Sequence, residues 1–240
     1  MRIDISEIAA DFPGFRVAVV VGVDLAIAAE RPPALAAEIV KREAAARERW
    51  AGTELAEIPG IAAWRRAYRQ FGIKHTSYRS AVERLVKNAL AGRELPAING
   101  FVDAYNAVSL THVLPAGADD LDRVKGDLAF RYARPGDSFL DMGARDDAGR
   151  PLPDPPKEGE VVYADAGKVL CRRWNWRQDA RSVVTPATRR AVVTLQANGH
   201  GDPAAAAAGL VALLESTCGG RYAVTVAGRN APGIALMIPA

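Results

Sequence analysis

Hydrophobic residues near the N-terminus follow the pattern of a buried strand. The stretch FRVAVVVGVDL, which begins at Phe15, is rich in β-branched residues and almost continuously apolar. Such a stretch is typical of a strand that is buried on both faces. The longest apolar run, Val17 to Val23, is far shorter than the roughly 20 residues of a membrane helix. We therefore predict a central strand and no membrane association.

Three helices are predicted in the first half of the chain. The first follows Pro33 and stops at Gly52, because a proline in the first turn and many Ala, Glu and Arg residues favour a helix. The stretch IPGIAAWRRAYRQFGI predicts a shorter helix that ends near Gly72. The third lies in TSYRSAVERLVKNALAG, where Thr76 or Ser77 is the predicted N-cap of an apolar stripe.

The second half of the chain is richer in β patterns. The short stretches DLAFRYA, GEVVYAD, GKVLCRRW and AVVTLQAN are separated by Gly and Pro turns, with a hairpin predicted at Ala166 and Gly167. We interpret AGADDLD as an acidic turn and RDDAGRPLPDPPKEGE as an exposed loop. Asp202 begins an Ala-rich helix, and RYAVTVAG is the predicted last strand. Early helices and a late mixed sheet predict one compact α/β (α+β) domain over residues 1–240.

Composition and charge narrow the class of protein. The 240 residues are 49% hydrophobic and 25% charged, as in an ordinary globular protein. The net charge of +3 permits contact with RNA but falls short of a duplex DNA binder, so we expect no DNA partner. Cys171 and Cys218 lack the spacing of a zinc site or a disulfide framework, which predicts no metal and a reduced, cytoplasmic protein. No P-loop or dinucleotide fingerprint occurs, so we expect no cofactor.

Polar residues recur at helical spacing in INGFVDAYN. Asn99, Asp103 and Asn106 are separated by four and three positions, which places them on one face if the segment is helical. On one interpretation they form a pocket edge that fixes an amide, an ammonium or a ribose of a substrate. The alternative is helix capping together with a buried hydrogen-bond network.

The stretch CRRWNWRQ concentrates two of the chain's four tryptophans with three arginines. If the preceding strand continues, Arg172, Trp174 and Trp176 share one face and Asn175 lies on the other. Trp and Arg side chains stack on a base or hold an aromatic or cationic group, and an Asn provides directional hydrogen bonds. The alternative is that the tryptophans fill the core and the arginines pair with carboxylates.

Two further candidates lie near predicted element ends. Thr185 and Thr188, in TPATRR, could orient a hydrolytic water or contact a terminal ribose, or they could cap a local turn. Arg79, at the head of a predicted helix, could contact phosphate together with His75. For His75 we favour a surface or hinge role.

The order of these motifs resembles the B3/B4 domain, the editing module of the bacterial phenylalanyl-tRNA synthetase β subunit. The resemblance is carried by SYRSAVERLVKNALAGRELPAINGFVDAYNAVSL, GDLAFRYARPGDSF, GEVVYADAGKVLCRRWNWRQ and TPATRRAVVTLQA. It covers about residues 63–197, and residues 1–62 and 203–240 complete the domain. It implies a mixed β-sheet core packed with helices. The RRWNWRQ stretch replaces a Gly-rich turn of the synthetase and looks like the stand-alone branch of the family, and Gln196 or Thr194 replaces its substrate-recognising Glu.

The resemblance implies a trans-editing aminoacyl-tRNA deacylase that hydrolyses the ester of a mischarged tRNA with a positioned water and without a metal. The implied partners are the aminoacylated 3′ end of tRNA and, as a second candidate, a synthetase. The implied catalytic residues are Asn175 and Thr188. The implied substrate-binding residues are Arg79, Asn99, Asp103, Asn106, Arg172, Trp174, Trp176 and Gln196.

Two alternatives remain open at this point. The same pocket would also suit a non-catalytic module that binds an amino acid, a small metabolite or a tRNA 3′ end, since the sequence reveals no strong general base. A third hypothesis is an RNA-binding or scaffold domain that uses basic faces such as WRRAYRQ and ATRR.

Overall fold

The fold combines helices with mixed sheets, which confirms the predicted α/β class. A computed structural model describes residues 1–73 and 78–239. In these ranges the α-helices are α1 (Ser6–Ala9), α2 (Pro33–Arg49), α3 (Pro59–Gln70), α4 (Ala81–Leu90), α5 (Gly100–His112) and α6 (Pro203–Cys218). The strands are β1 (Arg2–Asp4), β2 (Phe15–Val23), β3 (Ala116–Asp120), β4 (Leu128–Tyr132), β5 (Leu140–Arg145), β6 (Pro151–Pro153), β7 (Val161–Ala164), β8 (Val169–Arg172), β9 (Arg177–Gln178), β10 (Ala191–Asn198), β11 (Arg221–Gly228) and β12 (Gly233–Ala235).

The predicted central strand, β2, lies inside an antiparallel sheet with the strand order β11-β2-β10-β3. Alternate β2 side chains enter two different cores, because successive residues of a strand point to opposite faces. Ala18 and Val20 belong to the first core, which also contains buried side chains of α2, α4, α5 and α6. Val17, Val19 and Val21 pack in the second core. The continuous apolar pattern of β2 therefore follows from burial on both faces, as predicted.

The second core lies between this sheet and a six-stranded sheet with the order β12-β1-β4-β7-β8-β9. Leu128 and Phe130 of β4 and Leu170 of β8 are fully buried in it. Helix α3 covers part of the same core with Trp64. Among the helices of the described ranges, none combines the length and the apolar character that crossing a membrane would require.

Several predicted boundaries were wrong. The acidic stretch AGADDLD contains β3, whose Asp119 pairs with Val192 of β10; pairing with a central strand outweighs its weak intrinsic preference for strand. The Pro-rich loop contains β6, which pairs with β5. The strand RYAVTVAG is not the last, because β12 follows it and pairs with β1.

The predicted start of the third helix was also wrong. Helix α4 begins at Ala81, with Ser80 in the N-cap position. The predicted capping residues Thr76 and Ser77, together with His75, lie outside the described residues.

The stretch RRWNW forms a turn and does not continue the strand. Strand β8 ends at Arg172, and the φ angles of Arg173 and Trp174 are 46° and 65°. Residues other than glycine rarely adopt this left-handed conformation, which costs on the order of 1–2 kcal/mol for each residue. The chain then returns antiparallel to β8 through β9. The predicted alternation of side chains along this stretch was therefore wrong.

Burial of Trp174 accounts for this turn. Its side chain is fully buried, and its ring lies 4.6 Å from the ring of Phe12, 4.9 Å from that of Phe15 and 5.1 Å from that of Trp64, all edge to face. Edge-to-face aromatic pairs stabilise a core beyond the area that they bury. Trp174 is therefore a core residue, as in the alternative interpretation of this stretch.

We predict that Trp174→Ala lowers the free energy of unfolding by about 3–5 kcal/mol, because it removes a large side chain from a packed core. Trp176→Ala is the matched control. Its ring is partly exposed and contacts Arg173 and Arg177, so its loss should cost about 1 kcal/mol. Urea denaturation of the two variants measures both values, and an equal loss of stability would contradict the assignment.

Candidate functional site

A cavity of about 600 Å³ lies between the two sheets, against α4 and α5. Strands β3 and β10 form one wall, and β7, β8 and β9 form another. The turn that follows β8 and the N-terminal half of α5 close its sides. Ile98 and Met142 are among its lining residues and are largely exposed, so they mark its mouth.

A chain of neutral hydrogen-bonding groups runs along the cavity. The Asn175 amide donates from Nδ2 to Gln196 Oε1 (3.0 Å), and Gln196 Nε2 donates to Thr194 Oγ1 (3.1 Å). The hydroxyl of Tyr68 donates to the Arg173 carbonyl oxygen (2.7 Å) and lies 3.1 Å from Asn175 Oδ1. An amide group carries two N–H donors. Asn175 and Gln196 therefore each retain one N–H that this chain does not use.

The turn after β8 positions Asn175 through several backbone contacts. The Trp174 amide donates to the Val161 carbonyl oxygen (2.6 Å), and the Asn175 carbonyl oxygen accepts from the Ala81 amide at the start of α4 (3.0 Å). Glu160 Oε1 accepts from the Arg173 amide (2.9 Å). The turn is thus tied to β7 and to α4, and the Asn175 side chain is directed toward β10.

Asp119 is a cavity residue that sequence reasoning missed. Its side chain lies in the wall formed by β3, and the residue is only 3% exposed. Its Oδ1 accepts from Ser182 Oγ (2.7 Å) and from Gln178 Nε2 (3.0 Å). Burial raises the pKa of the Asp119 carboxyl to about 7, although both hydrogen bonds act in the opposite direction. Only the strand pairing of β3 places this carboxyl in the cavity, and the sequence carries no local signal of that pairing.

Three of the titratable groups near Asp119 are neutral. Tyr105 and Tyr163 line the cavity, and burial, followed by the nearby Asp119 carboxyl, raises the pKa of each phenol. The Tyr163 hydroxyl is buried and has no hydrogen-bond partner among the described residues. Burial, and then Asp119, also raises the pKa of the Cys171 thiol. Cys171 is therefore a neutral thiol and not a thiolate nucleophile.

Four of the predicted site residues line the cavity, namely Asn106, Asn175, Trp176 and Gln196. They come from α5, from the turn after β8 and from β10, which are distant in sequence. The fold thus brings together three of the stretches that carried the resemblance. They are INGFVDAYN, CRRWNWRQ and the end of TPATRRAVVTLQA.

The other residues of the predicted helical face have structural contacts. Asn99 is the N-cap of α5, and its Oδ1 accepts from the amides of Phe101 and Val102. Asp103 is buried, and its carboxylate pairs with Arg31 at 2.9 Å. These contacts favour the capping and network alternative for both residues.

The two predicted arginines, Arg172 and Arg79, are not among the residues that line the cavity. Arg172 is fully buried, and its guanidinium pairs with Glu160 at 2.8 Å and with Asp154 at 2.5 Å. A buried cation with two carboxylate partners has a structural role in the fold. Arg79 pairs with Glu83 at 3.3 Å and is not among the residues that line the cavity.

Thr188, predicted to be catalytic, closes the loop before β10. Its hydroxyl donates to Asp120 Oδ2 (2.8 Å) and accepts from the Thr185 amide (3.1 Å). The residue is buried and is not among those that line the cavity. Across residues 1–73 and 78–239, His, Cys, Asp and Glu side chains form no group of three or more that could hold a metal ion.

Comparison with known proteins yields one family and one solved structure of interest. The family model described as the B3/4 domain matches residues 63–200. An N-terminal fragment of the phenylalanyl-tRNA synthetase β-subunit from Pyrococcus horikoshii is 12% identical, with a TM-score of 0.41 over 92% of this chain. The chain spans 50% of the length of that structure. A comparison with curated proteins finds no match.

We predict that Asp119 makes stability depend on pH. The folded carboxyl keeps its proton up to about pH 7, whereas the unfolded one loses it near pH 3.9. Stability is therefore lost as the pH rises toward 7, and wild type should lose about 3 kcal/mol relative to Asp119→Asn between pH 5 and pH 8. Urea denaturation at both pH values measures this difference. Parallel pH profiles for the two proteins would contradict the prediction.

Proposed function

The chain belongs to the B3/4 domain family, and on this premise we propose that it is an aminoacyl-tRNA deacylase that acts in trans. The reaction is hydrolysis of the ester that joins a wrongly attached amino acid to the 3′ end of a tRNA. The observation that carries the proposal is the cavity with its chain of amides formed by Asn175 and Gln196. The cavity volume of about 600 Å³ falls within the range typical of small-molecule sites. Such a volume suits an aminoacyl group together with the terminal ribose.

Hydrolysis of an aminoacyl ester requires few catalytic groups, because the ester is already activated. Hydrolysis needs a positioned water and a donor to the carbonyl oxygen as negative charge develops on it. The unused N–H groups of Asn175 and Gln196 are suitable donors, and they are held in place by their mutual hydrogen bond. The Thr194 hydroxyl, which accepts from Gln196, keeps its own proton to orient a water. In this proposal Asn175 stays catalytic, and Gln196 and Thr194 take the place of Thr188.

A basic surface supports tRNA as the partner. A second cavity, of about 310 Å³, is lined by Arg123, Lys125, Lys168 and Arg181. Lys125 and Arg123 are exposed, where they are suited to contact phosphate groups. Editing in trans would be useful because binding alone separates similar amino acids only modestly.

A non-catalytic binding module is the second candidate. The neutral state of the Cys171 thiol favours it, since the most nucleophilic side-chain type in the cavity is not activated. A deacylation assay separates this candidate from the first.

We predict that the protein releases the amino acid from at least one mischarged tRNA in a panel of correctly and wrongly charged tRNAs. Asn175→Ala should lower kcat/KM by about 100-fold, which is the typical effect of removing one donor to a developing oxyanion. Asn198→Ala is the matched control, because Asn198 ends β10 and does not line the cavity. Release that is absent from every tRNA, or equal for both variants, would contradict the proposal.

We also predict that Lys125→Glu weakens tRNA binding without changing the choice of amino acid. Loss of a phosphate contact should reduce the slope of log Kd against log salt concentration by about 1. Filter binding at several salt concentrations measures the slope. Glu94→Lys is the opposite-charge control on an exposed loop, and equal slopes for wild type and Lys125→Glu would exclude this surface.

A further inference from the structure

The carboxyl of Asp119 differs from the other carboxyls around it. Asp165 pairs with Lys168 at 2.8 Å, and Asp179 pairs with Arg181 at 2.7 Å. Asp119 accepts hydrogen bonds only from the neutral groups of Ser182 and Gln178, and no cation pairs with it in the described parts of the chain. A carboxylate that is buried without a counter-ion is costly, so it has a strong electrostatic preference for a cation.

The ionisable groups that face Asp119 do not supply that cation. Among the described residues, Lys168 is the cation whose charge lowers the pKa of Asp119, and its ammonium is already bonded to Asp165 Oδ2 and to the Arg123 carbonyl oxygen. The charge of the nearby Asp179 carboxylate raises the pKa of Asp119 further. Tyr105 of α5, Tyr163 of β7 and Cys171 of β8 lie near Asp119 and are neutral. Arg84 and Arg177 also line the cavity, and the Arg177 guanidinium pairs with Asp141 at 2.6 Å.

The Tyr163 hydroxyl is a second, independent sign of a ligand. It is buried in the cavity wall and is without a hydrogen-bond partner among the described residues. A buried hydroxyl left unpaired is costly, and a bound polar group would satisfy it. Asp119 and Tyr163 come from different sheets, and both line the same cavity. Their acceptor oxygens are suited to a group that carries both a positive charge and several N–H donors.

We propose that Asp119 and Tyr163 bind the α-ammonium group of an amino-acid ligand in the cavity. This inference rests on the proposed function for the nature of the ligand, an amino acid joined through its carboxyl group. An ammonium carries three donors, which matches the acceptor oxygens of a carboxylate and a phenol. The amides of Asn175 and Gln196 would then hold the carbonyl end, so the cavity recognises both ends of the aminoacyl group.

The inference is tested by binding, with probes that cannot undergo ester hydrolysis. The probes are the methylamides of the standard amino acids, each paired with the methylamide of the matching α-hydroxy acid. The two members of a pair differ only in the ammonium and the hydroxyl. Dissociation constants are measured by isothermal titration calorimetry with wild type, Asp119→Asn and the control Asp122→Asn, an exposed position nearby.

We expect the best-bound ammonium probe to bind wild type about 10- to 100-fold more tightly than its hydroxyl partner, the range typical of a hydrogen bond to a charged group. Asp119→Asn should abolish that preference, and Asp122→Asn should keep it. The inference is overturned if no probe binds, if the hydroxyl partner binds equally well, or if Asp119→Asn weakens both members of a pair alike. The last result would mark Asp119 as a proton acceptor or a structural group.

The pH dependence of wild type provides a second test that needs no variant. Affinity for the ammonium probe should rise as Asp119 ionises near pH 7 and fall as the α-amine of the probe loses its proton near pH 7.7–8.0. The hydroxyl probe should show no rise through pH 7. Identical pH profiles for both probes would overturn the inference. Because neither test involves hydrolysis, a protein that binds the ammonium probe but deacylates no tRNA would disprove the deacylase alone.

Discussion

The packing of Trp174 is the contact on which the candidate site depends. Its indole lies at the centre of the core between the two sheets, edge to face with Phe12, Phe15 and Trp64. To reach that position the chain leaves β8 and takes two consecutive left-handed residues. This local strain is offset by the burial of the ring, and its result is the position of Asn175. The next residue after the core tryptophan is thereby held in the cavity wall, hydrogen-bonded to Gln196 on the other sheet.

Much of the fold was predictable because it follows from periodicity. The strand β2 has a continuous apolar pattern, and both of its faces are buried. Helix α5 begins at Gly100, directly after Asn99, which has the side chain and the backbone geometry of an N-cap. Strand β3 could not be predicted in the same way, since its Gly, Ala and Asp residues have little intrinsic preference for strand. It forms because β10 offers an unpaired edge to which it can hydrogen-bond. This pairing depends on the three-dimensional fold and leaves no pattern in the sequence around β3.

The candidate site was predictable only in part, for the same reason. Asn175 and Gln196 stand out in the sequence as polar residues, one just after β8 and the other within the apolar pattern of β10, and both line the cavity. Arg172 and Trp174 are residue types that are common in ligand sites. In the fold, however, Arg172 forms a buried ion pair and Trp174 packs in the core. For Asp119 the sequence pattern misleads in the opposite direction. It belongs to an acidic stretch typical of a surface turn, and its place in the cavity follows from the register of β3 against β10.

The most direct test of the proposed site is a crystal structure of the protein with a 3′-aminoacylamino-3′-deoxyadenosine. In this compound an amide replaces the ester. We expect the aminoacyl group to lie in the cavity, with its carbonyl oxygen within hydrogen-bonding distance of Asn175 Nδ2 or Gln196 Nε2. The ribose should lie toward the mouth near Ile98 and Met142. A ligand bound elsewhere, with the amide chain of the cavity untouched, would contradict the central claim that this cavity is the site of the reaction.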